Sequence, residues 1–505
     1  MPFVYSLQMT KVKNIGGEIY IWLMLFAFPL VFSPNGYADI TRTKMVFFMV
    51  VTAVFALFRF VCCLLDKRFP YPHTVAQWAV FVYLLATCIS ALASPYEGTF
   101  LGLARNEGVL TVFFYCLTFF CGVGISFKRR HILPLALAAV GFSVIGILQI
   151  CNLNPLGLYP DVYYYYAAMD VYTAPFIGTI GNAGIAGAFL SVIIPLFFAW
   201  FITGKNRYDY LILIPLASAF FLLMFSDISG AKIGVAAAIL LCIVFMLTDK
   251  NRICRTLTAI AVLFFGAAVS YYLVPVYNHP NFSFSFREGG MLIPLLAFAA
   301  LLALGGWLLR KVNFPVNAKL LRAVMLGVLV LVLIVGIIYI YNSDAQSGFV
   351  YELNQVMHGN LQDEFGSNRI RIWKRCIEMF KEYPLLGSGP DTGVMRFNII
   401  FERFSPIWQR TLRTGVDTAH NEYLNLLVTV GIIGLVPFVV AIAAVLLKKK
   451  KPLREVCAIA VLGYVVQAFF LFSISITAPY FWLFLGLSDK VPIKRKIRIN
   501  EATSE

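Results

Sequence analysis

Two short stretches hold the residue types that could do chemistry. The first reads Asp417-Thr-Ala-His420-Asn421-Glu422 and opens an apolar run over 421–447. A neutral imidazole at the mouth of a transmembrane helix, with a pKa near working pH, can take a proton from an attacking hydroxyl, and Asp417 or Glu422 could orient it. The same pattern also suits a histidine that only caps a helix at the membrane interface. The second stretch, from Ser367 to Tyr383, sets Trp373, Cys376, Ile377 and Phe380 at helical spacing, and Pro384 with Gly387 and Gly389 ends the pattern. An amphipathic helix lying along the membrane surface is expected. Arg369 stands one turn before its apolar face, where unsatisfied N–H groups and the helix dipole favour an anion. Its planar fork of donors matches phosphate oxygens, with Arg371 close behind. From the residues alone, an interfacial arginine meeting lipid headgroups fits equally.

The elements that must position these residues are membrane helices. Of the 505 residues, 60% are hydrophobic and 13% charged, and the mean hydropathy is +0.80. Soluble domains run nearer ~45–50% apolar and ~25% charged. The net charge of +16 lies in short clusters between apolar runs, not in a stripe, which argues for topology determinants and against a nucleic-acid surface. The ten cysteines lie mostly in or beside apolar runs without metal-ligand spacing, as buried small hydrophobes would. No removable signal peptide is expected, the first run staying as an anchor.

The predicted fold class is all-α, a polytopic transmembrane bundle of about 12–14 spans with one large extracytoplasmic loop containing amphipathic helices. The candidate spans begin at 17–34 and end with a short one at 475–488. Residues 1–342 form the N-terminal transmembrane part, 343–419 the large loop, 420–488 the C-terminal transmembrane part and 489–505 a basic cytoplasmic tail. With both termini cytoplasmic, most of the 41 Lys and Arg fall inside, and the short outside loops keep only Arg42, Lys44, Arg105, Lys232 and Arg287. A second outside segment, 152–183, contains the run Tyr163–Tyr166, readable as an interfacial aromatic belt or as a sugar-stacking groove.

His420-Asn421-x-x-Leu followed by Gly431-x-x-Gly434 resembles the signature of the O-antigen ligase and polymerase family. Arg369-x-x-x-Trp373 followed by Pro384-Leu-Leu-Gly-Ser-Gly389 is similar to a stretch of that family's large periplasmic loop. Gly178–Gly187 resembles its glycine- and asparagine-rich helix start, and Pro479–Gly486 its terminal segment. The likeness covers about residues 90 to 488, loosely. One departure concerns the Ser-Arg-Gly that members carry at the outer end of a middle helix, where this chain reads Ser226-Asp-Ile-Ser-Gly-Ala-Lys232. Lys232, or Arg105 from the Ala-Arg-Asn-Glu-Gly loop, would have to supply the missing charge.

The resemblance implies a glycosyltransferase of the bacterial cytoplasmic membrane that moves a glycan from a polyprenyl-diphosphate carrier to an acceptor hydroxyl at the outer face. His420 would be the general base and Arg369 the diphosphate ligand, while Lys232, Arg105, Arg371, Trp373 and Asn421 would bind substrate. No metal or other cofactor is expected, because no Asp-x-Asp motif offers itself as a diphosphate-bridging ion site. The expected partners are the lipid-linked donor, membrane lipid and a glycolipid, polysaccharide or protein acceptor, but no nucleic acid. A polysaccharide polymerase or a protein O-oligosaccharyltransferase would show the same donor site. A lipid-linked glycan flippase is the remote alternative, disfavoured by the lack of internal repeats and of ionisable residues along a path.

Overall fold

The computed structural model describes residues 2–37, 39–67, 71–158, 175–226, 228–278, 281–287, 290–405, 409–448 and 452–489. The tyrosine run 163–166 and the basic tail from 490 onward lie outside them. The chain is a helical membrane protein, and among the described residues nine helices are long and apolar enough to cross a bilayer. In chain order the helices are α1 (Pro2–Trp22), α2 (Ile40–Asp66), α3 (Val75–Leu92), α4 (Val109–Val123), α5 (Ile132–Ile150), α6 (Ala183–Ile202), α7 (Leu213–Phe225), α8 (Ser229–Met246), α9 (Lys250–Tyr272), α10 (Leu292–Lys311) and α11 (Ala318–Tyr341). In the large loop, α12 (Gly348–Met357) and α13 (Phe365–Glu382) follow; then come α14 (Glu422–Thr429), α15 (Gly431–Leu446), α16 (Pro452–Gln467) and α17 (Ala478–Ser488).

Polar side chains start several of these helices by accepting otherwise unpaired backbone N–H groups: Thr74 from Gln77, Asn182 from Ile185, Asp249 from Arg252. The centre of the bundle is α6, buried along its length except at Gly184 and packed against α7, α8, α9 and α16. In lipid, apolarity alone does not draw helices together, and close backbone approach becomes the driving contact. Such an approach joins α17 to α4, where a Cβ at Gly486 would stand 2.1 Å from the Phe119 carbonyl oxygen.

Several expectations are corrected. The segment 475–488 supplies only the 11-residue α17, about 16 Å long, too short to cross and buried throughout. The run 421–447 is not one span, because the helix breaks at Val430–Gly431. Lys44 and Lys232 are not loop residues but sit in the first turns of α2 and α8. Lys44 is buried, its ammonium donating to the carbonyls of Phe28 and Pro29 at 3.0 Å each. The all-α class itself holds, and two small antiparallel hairpins accompany the helices: β1 (Leu273–Asn278) with β2 (Asn281–Phe286), and β3 (Ile400–Ser405) with β4 (Arg410–Gly415). The second belongs to the large loop.

Candidate functional site

The large loop is fastened to the bundle at the break between α14 and α15. There the Pro384–Gly389 stretch runs against backbone that the break leaves free: Ser388 N donates to Val428 O at 3.2 Å, Gly389 N to Thr429 O at 2.8 Å, and Ile432 N to Pro384 O at 3.1 Å. Gly387, at φ +65°, lies so close to Thr429 that a Cβ would meet its carbonyl carbon at 2.4 Å. The glycines of this motif therefore serve docking. The outside loop before α4 joins in, with Ser94 Oγ donating to Ser388 O at 2.6 Å.

Helix α13 begins after a left-handed turn at Gly366, Ser367 and Asn368, so Arg369 is its first regularly helical residue. Its buried stripe is Ile372, Cys376 and Met379, packed with Phe397, Ile399, Val416, Ala419 and Val428. Trp373 and Phe380 flank this stripe. Ile377, expected on the apolar face, is more than half exposed, because docking on α14 rotates the covered side toward Ile372. Trp373 Nε1 donates to the Ala419 carbonyl at 3.0 Å, and Asn425 Oδ1 accepts from Ala419 N at 3.2 Å. Asn421 caps α14 by accepting from Tyr423 N and Leu424 N. These contacts fix the backbone on both sides of His420, which sits in the left-handed region at φ +47°.

Around His420 the structure gathers Arg369, Arg105, Asp417 and Phe472. The imidazole meets the Phe472 ring edge-on at 5.4 Å, and the Arg105 guanidinium lies 4.5 Å from the centroid of the same ring. Arg105 forms a two-point ion pair with Asp417, 2.8 Å from Nε to Oδ2 and 3.1 Å from Nη2 to Oδ1. Arg369 is held by carbonyls, from Nη1 to Gly366 O at 3.1 Å and from Nη2 to Phe470 O at 3.4 Å, and its buried Nε has no partner among the described residues. Burial, opposed by the nearby Glu352 charge, pulls its pKa below the usual arginine value.

Burial is also the largest influence on His420, followed by the charges of Arg369 and Arg105, with Asp417 opposing; together they bring its pKa down to about 4. The ring is neutral at pH 7 and is a proton acceptor. An anion bound between the two arginines would offset the very charges that depress it.

Of the residues singled out in the sequence, Arg369, Arg105 and His420 converge. Trp373 and Asn421 act on the backbone around them. Arg371 is exposed and stacks toward Phe401 at 6.0 Å. Lys232 lines a groove with Phe220, Leu223, Met224 and Phe264. Asp417, not Glu422, is the carboxylate beside the imidazole. Glu422 points instead into a cavity of about 40 Å³ that it shares with Glu107, Asp391, Thr418 and Ser473, roomy enough for about one to three waters.

Three residues were missed by sequence reasoning. Asp391, only 9% exposed, clamps the loop that carries Arg105: its Oδ2 accepts from Ala104 N at 2.9 Å, Arg105 N at 2.8 Å and Glu107 N at 3.4 Å. Glu107 accepts the Tyr115 hydroxyl at 2.7 and 2.9 Å, while burial and then the charges of Asp391 and Glu422 push its pKa well up. Phe472 is the shared floor. Only Asp391, directly after the Gly-Ser-Gly-Pro turn, offered a sequence signal.

No curated protein matches the chain. The family model described as O-Antigen ligase matches residues 284–439, a stretch that holds Arg369, Asp391, Asp417 and His420, while Arg105 and Phe472 come from outside it. With its membrane-crossing helices and this match over residues 284–439, the chain is a multi-pass membrane protein that carries a region similar to the O-antigen ligase family.

Proposed function

We propose that this protein transfers a glycan from a polyprenyl-diphosphate carrier to an acceptor hydroxyl at the outer face of the bacterial cytoplasmic membrane, with both chain termini inside. The observation that carries this reading is a neutral, partly exposed imidazole bracketed by two arginines, one of them tied down only by carbonyl oxygens. His420 takes the proton of the acceptor hydroxyl as its oxygen bonds to the anomeric carbon. The bond from that carbon to the diphosphate oxygen breaks, and the electron pair leaves with the diphosphate. Arg369 and Arg105 stabilise the charge that develops there. Attack in line with the leaving group inverts the anomeric centre.

Arg105 takes the role the sequence left open between itself and Lys232. Bidentate pairing with Asp417 and stacking on Phe472 leave its guanidinium pre-organised, so little entropy is lost on binding an anion. The acceptor is a glycolipid, a polysaccharide or a protein; this donor chemistry is common to all three. The test uses purified wild type, His420→Ala and Arg369→Ala with a polyprenyl-diphosphate-linked glycan and each acceptor class, scoring released polyprenyl diphosphate. Turnover by wild type and its loss in both folded variants is expected. Equal turnover in all three would sink the assignment, and glycan crossing vesicle membranes without turnover would favour a transporter.

A further inference from the structure

Helix α4 has polar machinery at both ends. Its N-terminal end follows the Arg105 loop, and about 22 Å of helix away its C-terminal end opens on a second cavity, of about 270 Å³, lined by Lys13, Glu18, Arg59, Lys128 and His131. α1, α2 and the turn between α4 and α5 form its walls. Charge there is unbalanced. A single oxygen, Glu18 Oε1, faces Lys128 Nζ at 3.5 Å, Arg130 Nη2 and His131 Nε2 at 2.9 Å. Asp66 pairs with Lys13. Arg59 meets the Gly124 carbonyl at 3.2 Å and has no carboxylate against it among the described residues.

Among the described residues, four basic side chains, Lys13, Arg59, Lys128 and Arg130, are thus answered by two carboxylates. A further anion would offset part of that surplus. The cavity is concave and lies between helices, unlike a flat belt of interfacial charge. The helix pair that supplies Lys13 and Arg59 also turns Val12, Ile15, Ile19, Val50 and Val54 outward, all more than 40% exposed, as surfaces for acyl chains.

We infer that this cavity binds the phosphate-bearing headgroup of an anionic phospholipid from the leaflet opposite the His420 site. Basic pockets between transmembrane helices select such headgroups because the phosphate oxygens accept from several cations at once, in a setting where screening is weak. The lipid would brace α1 against α2 and the α4–α5 turn.

The test is lipid retention by the full chain purified in detergent, offered phosphatidylglycerol or phosphatidylcholine and read by native mass spectrometry. Wild type should keep phosphatidylglycerol in clear preference. Arg59→Gln combined with Lys128→Gln should keep it about tenfold less well, each cation contributing a part of that factor. Arg310→Gln combined with Lys311→Gln, at the end of α10, should behave as wild type. Equal retention of the two lipids by wild type overturns the site, and needs no variant to fold. So does an unchanged preference in the Arg59/Lys128 variant. Inorganic phosphate that displaces the lipid and raises the unfolding temperature as much as phosphatidylglycerol does would assign the cavity to a soluble anion instead.

Discussion

The two ends of α4 make an instructive pair. Each collects a surplus of cations and one histidine, but the histidines differ in what they face. His131 is engaged on both ring nitrogens, with Glu18 at 2.9 Å from Nε2 and the Lys128 N–H donating to Nδ1 at 3.0 Å. His420 touches Phe472 and leaves its ring nitrogens without a partner among the described residues, because the one carboxylate nearby, Asp417, is taken up by Arg105. A cationic cluster by itself is therefore only an anion site. It becomes a site for chemistry when it also holds a neutral base that is free to accept a proton.

The strongest test of that contrast is removal of the base. His420→Ala should lower transfer by about 10²–10⁴-fold in single-turnover assays with the fold preserved, whereas His131→Gln at the other end should leave the rate within about twofold; similar losses in both would erase the distinction. Next comes Arg369, the arginine proposed to meet the leaving group. Arg369→Ala should cost about 10²–10³-fold in kcat, and Arg369→Lys should recover only part of it, since a point charge cannot reproduce two-point contact. Full activity in the lysine variant would mean that charge alone suffices.

The pH dependence follows from the sign of the shift. A base with a pKa of about 4 stays competent as pH falls from 7 and is lost only as pH passes through that value, so kcat/KM, which reports the free protein, should stay level to about pH 5. In kcat the acid limb should lie higher, because bound diphosphate offsets the arginine charges. Arg105→Gln removes one of those charges and should move the kcat/KM limb upward. An acid limb at the ordinary histidine value in wild type would refute the two-arginine bracket.

A smaller effect is expected from Asp391→Asn. The amide accepts more weakly from the three N–H groups of the Arg105 loop, about 1 kcal/mol in all, so KM for the donor should rise about fivefold with kcat nearly kept; a fall in kcat alone would speak against a positioning role. Smallest of all, Lys232→Ala should change turnover less than about twofold, its side chain being in the α7–α9 groove. A loss comparable to that of Arg105→Gln would return the second cationic role to α8.

Much of this site was legible before any fold was known. Arg369 and His420 announced themselves because each opens a helix, and helix openings have readable signals: a polar residue ahead of an apolar run, an arginine where dipole and free N–H groups favour an anion. The glycines at 387 and 389 were visible as an end to helical spacing, but their purpose was not, since the partner they approach lies 40 residues further on at the break of α14. The span misread at 475–488 has a physical cause. Hydropathy reports which solvent a segment prefers and not where it sits: α6 and α11 are both strongly apolar, yet one is buried along its length except at Gly184 and the other has no buried residue. For the same reason α17 read as a span although it is only an inner packing element.

The sequence by itself determined that this is a membrane-embedded helical protein with one large polar loop, because apolar length and charge spacing are local and lipid enforces them residue by residue. It also singled out His420 and Arg369, the two residues on which the proposed transfer turns. Only the tertiary structure decided which second cation joins Arg369, which carboxylate stands beside His420, and that the imidazole is held neutral. Those properties arise from burial and from charges contributed by segments as far apart as Arg105 and Asp417, and electrostatic fields add up over space, not along the chain.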